Sequence, residues 1–179
     1  MLNINTKAFI EKHLKIKNKI PQIVPLIPNK PQLKMYDAIK HQYEQGKPQR
    51  ILVLKARQMG FSTMTEAIIF TGTATNHNIK SGIVAHEEKA TTNLFNMTKL
   101  YYDNLPDLIK PSKVGSNAQE IIFNNKQRTG LNSTIKCMTA GNGSIGRSDT
   151  FQMLHISEYA YWPGNKKETI TGLLQAVPN

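Results

Sequence analysis

The sequence predicts an α/β protein built on a mainly parallel β-sheet with helices on both faces. Short apolar runs of strand length alternate along the chain with longer segments of helical periodicity. This alternation is typical of parallel strands that are joined by helices. The chain has 179 residues, of which 39% are hydrophobic and 20% are charged. These values suit one soluble domain with a substantial core.

The first 30 residues are expected to form a basic, proline-containing arm that leads into the domain at residues 31–179. The arm combines a short lysine-rich helical stretch, "TKAFIEKHLKIKNK", with "IPQIVPLIPNKP". Four prolines exclude a regular helix from the second stretch. We therefore expect that stretch to pack in extended form against the domain.

The first half of the domain is predicted to alternate between helices and strands. A helix with apolar residues at helical spacing ends near Gly46 and Pro48, and a continuous apolar run of strand length follows it. Next come a helix, a second buried strand and a further helix. In order, these five segments are "PQLKMYDAIKHQYEQGK", "RILVLKA", "FSTMTEAIIFTGTATN", "SGIVAH" and "EEKATTNLFNMTKLYYDNLP".

The second half is predicted to contain a hairpin, a final strand and a final helix. "EIIF" and "STIKCMTA" are separated by the turn-rich "NNKQRTGLN", which favours a hairpin. The single cysteine, Cys137, is expected to be a buried strand residue, and a lone cysteine excludes an internal disulfide. A glycine-rich loop then leads to the strand "FQMLHIS", on which His155 is expected to pack or to form a hydrogen bond, and to a helix near "KKETITGLLQAV".

The chain is basic, with a formal net charge of +11. Residues 1–50 contain ten Lys or Arg against three Asp or Glu, and residues 51–179 contain 13 against nine. Such an excess favours polyanionic partners, of which nucleic acid is the commonest, although a solvated lysine-rich surface is the alternative explanation. No apolar run reaches the length of a membrane span and no signal peptide is visible, so we expect the protein to stay in the cytoplasm.

The stretch "LKARQMGFST", residues 54–63, lies between a predicted strand and a predicted helix, as a phosphate-binding loop does. The usual loop is G-x-x-x-x-G-K-[ST], whose backbone N–H groups and helix dipole attract a phosphate. Here Gly60 occupies the second glycine position, and Ser62 occupies the hydroxyl position that ligates Mg²⁺. Phe61 replaces the lysine, so the motif departs from its pattern.

A lysine that is missing from its usual position can be replaced from elsewhere in the loop. Lys55 and Arg57 occupy the first and third loop positions, from which a long side chain can fold back over the phosphates. Phe61 is then expected to face protein. The alternative is that the segment is an ordinary turn from strand to helix.

The second part of such a site is an acidic residue at the end of a later strand. "MLHISE", residues 153–158, is a strand of this kind and ends in Glu158, which could orient an attacking water. The usual ending is Asp-Glu, whereas this chain has Ser157, whose hydroxyl could hold a metal-bound water. A solvated acid at a strand end is the alternative for Glu158.

These motifs in this order resemble the large terminase subunit of tailed phages, the ATPase that packages DNA into proheads. "LKARQMGFST" resembles the deviant phosphate loop of that family, and "GRSDTFQMLHISEYAYWP" resembles its acidic strand. "SGIVAHEEKATTNLFNMTKLYYDNLP" is similar to its second strand and helix. "PQLKMYDAIKHQ" is similar to its adenine-recognition segment. The resemblance covers roughly residues 28–179 and implies a P-loop NTPase sheet of the ASCE type.

The resemblance also implies a role for individual residues. Lys55 and Arg57 would contact the β- and γ-phosphates of ATP, and Glu158 would position the hydrolytic water. Ser62 would bind Mg²⁺, with Ser157 acting through water, and Gln32 would contact the adenine edge. The residues expected to bind the nucleotide are Gln32, Lys55, Ala56, Arg57, Gln58, Met59, Gly60, Phe61, Ser62 and Thr63. Arg147 could sense the γ-phosphate or contact DNA, and the alternative is that it tethers its loop to the core, which is the commoner role of such an arginine.

The same resemblance implies partners and a missing part. The partners would be double-stranded DNA, the portal protein, the small terminase subunit and further copies in a ring on the prohead, in the cytoplasm of an infected or lysogenic bacterium. In the family, a coupling strand and an RNase H-like nuclease domain follow, whereas this sequence ends at Asn179. We therefore expect a truncated ATPase domain whose sheet is incomplete at its C-terminus, without nuclease activity.

Two other functions fit parts of the sequence. A helicase-like ATPase would share the adenine segment and the sheet, but helicases normally keep the loop lysine and the Asp-Glu pair. A non-enzymatic, basic DNA-binding or assembly module would explain the charge of the first 50 residues.

Overall fold

A computed structural model of the chain describes residues 6–117, 119–141, 145 and 149–177. It contains five α-helices and seven strands within these residues. In chain order they are α1 (Thr6–His13), β1 (Lys15–Lys17), β2 (Ile23–Pro25), α2 (Lys30–Glu44), α3 (Phe61–Ala74), β3 (Lys80–Ala85), α4 (Glu88–Asp103), β4 (Gly115–Ser116), β5 (Glu120–Phe123), β6 (Ser133–Thr139), β7 (Met153–Ile156) and α5 (Lys166–Gln175).

Five strands form one mixed sheet in the order β4-β5-β6-β3-β7. β3 pairs in parallel with both β6 and β7, whereas β5 is antiparallel to β6 and to β4. The predicted α/β class is therefore confirmed, as is the hairpin of β5 and β6. The parallel part of the sheet consists of β6, β3 and β7, and its carboxyl edge is followed by Ala140, His86 and Ser157.

Apolar residues cover both faces of this sheet, as predicted. Because side chains alternate along a strand, Ile83 of β3 belongs to the larger core and Val84 to the smaller one. The larger core includes α1, α3 and α4, and the smaller core includes α5 and Trp162. Cys137 lies fully buried in the larger core, as the sequence predicted. No helix among the described residues combines the length and the apolar character needed to cross a membrane.

The N-terminal segment packs against the domain. Its lysine-rich stretch, predicted to be helical, forms α1 and then β1, and the stretch predicted to be extended contains β2. α1 is followed by a two-stranded antiparallel hairpin of β1 and β2. Ile10, Leu14 and Leu26 are almost completely buried in the larger core, and the Leu26 N–H donates to the Leu14 carbonyl. The hairpin accommodates its prolines because each strand is only three residues long and has a free edge.

The predicted buried strand "RILVLKA" is wrong. Residues 51–56 have no regular secondary structure, and the side chains of Leu52 and Leu54 are fully exposed. Their backbone forms no hydrogen bond to the described part of the chain. Among the described residues, β7 is an edge strand of the sheet and pairs only with β3. The segment has a strand-forming sequence, but without a neighbouring strand it cannot form the ladder that defines a strand.

One partly buried carboxylate connects the three parallel strands. Asp149, just before β7, accepts hydrogen bonds from Lys80 at the start of β3 and from Lys136 of β6, the latter at 3.0 Å. Burial alone would raise the pKa of Asp149, but the hydrogen bonds and charges of the two lysines lower that pKa below its ordinary value of 3.8. The ionised carboxylate is therefore the form that the fold stabilises.

We expect Asp149→Asn to lower the free energy of unfolding at pH 7 by about 1–2 kcal/mol, because two charge-assisted hydrogen bonds are lost. A folded pKa below the unfolded pKa contributes stability that is fully present above pH 4 and is lost as the pH falls through the folded pKa. Urea unfolding from pH 7 to pH 3 measures this. The difference between parent and variant should narrow below about pH 4.

Asp107→Asn is the matched control, since the Asp107 side chain is fully exposed beside Lys110. It should leave the free energy of unfolding nearly unchanged. Equal effects of the two substitutions would contradict the role given to Asp149.

Candidate functional site

The predicted loop ends at Gly60, a position that other residue types would not easily occupy. Gly60 precedes α3 with φ 74° and ψ 15°, in the left-handed region, and Gln58 also has a positive φ of 61°. A Cβ atom at Gly60 would lie 2.7 Å from the Gln32 side-chain nitrogen. The left-handed backbone therefore favours glycine at this position, and a side chain there would displace the Gln32 amide.

Two side chains at the start of α2 hold the end of this loop. Gln32 Nε2 donates to the Gly60 carbonyl at 2.6 Å, and Asn29 Nδ2 donates to the Met59 carbonyl at 3.3 Å. Asn29 and Gln32 also form a reciprocal capping box, in which each side chain accepts from the backbone of the other. The buried Gln32 amide thus fixes the loop, a function that the sequence analysis missed. Its adenine contact stays a prediction.

The first turn of α3 leaves its amide groups without a side-chain cap. Gly60, at the N-cap position, has no side chain that could accept from them. The half-buried Ser62 belongs to this turn, whereas Thr63 directs its hydroxyl towards Met97 of α4. Phe61 is half-buried and packs against the larger core, so it contacts protein as predicted.

The predicted loop and the predicted acid meet in space. Lys55 Nζ lies 3.4 Å from Glu158 Oε1, across 103 residues of sequence. The two side chains are 23% and 32% exposed, so this ion pair is only partly solvated. Arg57 is exposed in the turn that follows. Of the two predicted cations, Lys55 is therefore the one that the fold places beside the acid.

Glu158 itself has an unusual backbone. Its φ of 54° and ψ of 38° lie in the left-handed region, which costs about 1 kcal/mol or more for a residue with a side chain. Ser157 before it is buried, donates its N–H to Val84 of β3, and accepts at its carbonyl from the Trp162 ring. The Ser157 hydroxyl has no hydrogen bond to the described residues, which leaves it free to bind a water. The surrounding contacts thus hold the acid in a strained conformation.

A second pair, deeper in the protein, connects the two segments that carry the site. Glu66 of α3 is completely buried, and its Oε1 lies 2.5 Å from His155 Nδ1 on β7. The other oxygen, Oε2, is buried without a partner among the described residues. Burial, and secondly the charge of Glu66, raise the pKa of the Tyr101 hydroxyl and of the Cys137 thiol. The expectation for His155 is confirmed, whereas sequence analysis gave no role to Glu66.

His86 is a further residue that the sequence did not indicate. It follows β3 at the carboxyl edge of the sheet, and its ring centroid lies 6.0 Å from that of Tyr161. Its Nδ1 atom is buried and has no partner within the described part of the chain. The other ring nitrogen, Nε2, lies 3.7 Å from Glu87 Oε1.

Metal ligands of the usual protein kind do not cluster here. Among the described residues, no group of three or more His, Cys, Asp or Glu side chains is arranged to hold a metal ion.

Arg147, the predicted charge sensor, lies outside the described residues. A groove of about 590 Å³ lies at the end of α2, lined by His41, Gln42, Gln45, Lys47, Pro48 and Arg50, and none of Lys55, Gly60 and Glu158 contributes to it.

Comparisons of this chain with protein-family profiles and with curated proteins find no match. The family hypothesis therefore depends on the motifs and on the geometry of the site.

We expect His155→Leu to lower the free energy of unfolding by about 2–4 kcal/mol, because Glu66 would be left buried without its partner. Combining His155→Leu with Glu66→Leu should recover part of this loss, since no polar group is then left buried. A double-mutant cycle by urea unfolding measures the coupling. Additive effects of the two substitutions would show that the pair is not an energetic unit.

Proposed function

We propose that this chain is the ATP-hydrolysing motor domain of a phage terminase large subunit, which drives viral DNA into proheads. The contact between Lys55 and Glu158 carries the proposal. The motif resemblance alone predicts that a cation from the start of the loop and an acid from a distant strand act at one place. The distance of 3.4 Å between these two groups supports that prediction.

The loop region suits a triphosphate in charge. The uncapped amides of α3 and its dipole favour an anion. Lys55 and Arg57 supply two positive charges at the front of the loop. Gln32 and Asn29 keep the loop in place, so little ordering entropy would be lost on binding.

Mg²⁺ would be held mainly by the nucleotide itself. This agrees with the lack of a clustered set of protein ligands among the described residues, because Mg²⁺ keeps several waters and often takes only one or two protein groups. Ser62 would contribute its hydroxyl, and Ser157 would bind one of the waters. When bound, the ion neutralises charge on the phosphates.

Glu158 would act on the attacking water. Phosphoryl transfer depends mostly on positioning and on electrostatic stabilisation. The left-handed backbone of Glu158, held by the bond between Trp162 and Ser157, directs the carboxylate towards Lys55. Strained residues of this type concentrate at functional sites.

The proposed binding partners and cellular location follow from the proposed family and not from contacts in the structure. They are double-stranded DNA, the portal protein, the small terminase subunit and a ring of copies in the bacterial cytoplasm. A helicase-like ATPase would have the same site chemistry, and duplex unwinding would favour it. A purely structural DNA-binding module would give Lys55 and Glu158 no chemical role.

We expect MgATP to stabilise the protein against thermal unfolding, by about 2.7 kcal/mol at a concentration 100 times the Kd. The combined substitution Lys55→Ala and Arg57→Ala should abolish this stabilisation, because it removes both cations of the loop. Differential scanning fluorimetry with and without MgATP measures the change in Tm.

The matched control is Lys126→Ala with Arg128→Ala, which removes the same two residue types at the same spacing from an exposed turn. The control should keep the full response to MgATP. An equal response in both double variants would argue against the loop as the nucleotide site.

We expect Glu158→Gln to lower the rate of ATP hydrolysis by about 10²–10⁴-fold while nucleotide binding is retained, since the amide cannot accept a proton from water. Phosphate release under saturating MgATP measures the rate. Glu44→Gln, which disrupts the exposed ion pair with Lys40, is the control and should hydrolyse ATP at the parent rate. A Glu158→Gln protein with unchanged turnover would remove the acid from the mechanism.

A further inference from the structure

The residues between Glu11 of α1 and Asp37 of α2 include basic residues and no acidic ones. Between Glu11 and Asp37 the sequence has six lysines and no acidic residue. All six are exposed, and none of them forms an ion pair with the described part of the chain: Lys12, Lys15, Lys17, Lys19, Lys30 and Lys34. Elsewhere, lysines such as Lys7 and Lys40 pair with a glutamate one helical turn away.

The hairpin of β1 and β2 places two of these lysines on one strand face and a third in the adjoining turn. Lys15 and Lys17 alternate with the half-buried Ile16, so they share the outward face of β1, and Lys19 follows in the turn. The spacing of two residues along a strand is about 6.6 Å. The hairpin therefore presents a preformed surface of positive charge.

The hairpin is anchored in the core at its base and exposed at its tip. Leu14 and Leu26, at the two ends, are buried in the larger core and share a backbone hydrogen bond of 2.9 Å. Asn18 and Gln22 close the turn through backbone and side-chain hydrogen bonds. Ile20 at the tip is 71% exposed. A charged surface on such a support would lose little entropy when it binds.

The side chains of the hairpin suit some polyanionic ligands better than others. Single-stranded nucleic acid is usually bound by aromatic side chains that stack on the bases. Residues 12–35 contain no Phe, Tyr or Trp. A membrane surface favours separate charged and apolar faces. Here Lys17 pairs directly with Ile23, which therefore points to the same side. Duplex nucleic acid, which offers phosphates on a regular backbone, fits best.

We propose that the lysine surface of the hairpin binds the phosphate backbone of duplex DNA. This surface consists of Lys15 and Lys17 on β1 and Lys19 in the turn. The contact is electrostatic and independent of sequence. It adds to the proposed motor function the surface by which the domain would hold DNA, and in that sense it rests on that function. The surface needs no nucleotide, however, so its test is separate from the tests of the ATP site.

The experiment compares two double variants with equal loss of charge. Lys15→Gln with Lys17→Gln removes the hairpin charges, and Lys7→Gln with Lys40→Gln removes two lysines that are paired with glutamates. Fluorescence anisotropy with labelled duplex DNA of random sequence, without nucleotide, gives the Kd at several salt concentrations. Single-stranded DNA and vesicles of anionic lipid are the comparison ligands, and thermal unfolding checks that each variant is folded.

We expect the hairpin variant to bind duplex DNA roughly five- to twentyfold more weakly than the parent, with the slope of log K against log salt reduced by about 2. The control variant should keep most of the affinity and the slope. Equal losses in both variants, tighter binding to the single strand, or binding to vesicles in place of DNA would each overturn the proposal. If MgATP binding fails while this difference persists, only the proposed ATP site is refuted.

Discussion

The buried hydrogen bond between Glu66 and His155 is the constraint on which the geometry of the site depends. Glu66 lies on the helix that follows the loop, and His155 lies on the strand that ends at the acid. A carboxylate without solvent and with one unpartnered oxygen is costly to separate from its remaining partner. The pair therefore fixes α3 against β7. Because α3 and β7 cannot shift independently, the loop before α3 stays close to Glu158 after β7. The side chain of Lys55, in that loop, can therefore reach Glu158.

Most of the fold could be predicted from the sequence because its elements are locally encoded. Helices α2, α3 and α4 and strands β3, β6 and β7 all occur where periodicity and apolar runs placed them. Residues 51–56 show the limit of that method. Their apolar sequence favours a strand, but a strand is a relation between two segments, and the described residues provide no partner for this one. The β1–β2 hairpin was missed for the opposite reason, because prolines obscured a pairing that needs only three residues in each strand.

The site was predictable in its residue types and not in its geometry. The order of loop and acidic strand selected Lys55, Gly60 and Glu158 from 179 residues. The left-handed backbone of Glu158 and the burial of Glu66 depend on tertiary contacts that no local pattern encodes. Gln32 is an intermediate case. Asn29 and Gln32 have the spacing of a capping box, which is visible in the sequence, and this signal could have shown that the Gln32 amide is engaged by the protein.

The two acid–base pairs of the site differ in burial, and this difference bears on what each can do. Glu66 and His155 are enclosed, so their pairing cannot be exchanged for water at low cost. Lys55 and Glu158 are about one quarter to one third exposed, where an ion pair contributes about 1 kcal/mol or less. A polyphosphate carries more charge than a carboxylate and would compete well for Lys55. Under the proposed function, the same lysine would neutralise the acid in the empty site and release it when the nucleotide binds. Occupancy of the loop would then be coupled to the availability of Glu158 through one exchangeable side chain, on a scaffold that the buried pair keeps fixed.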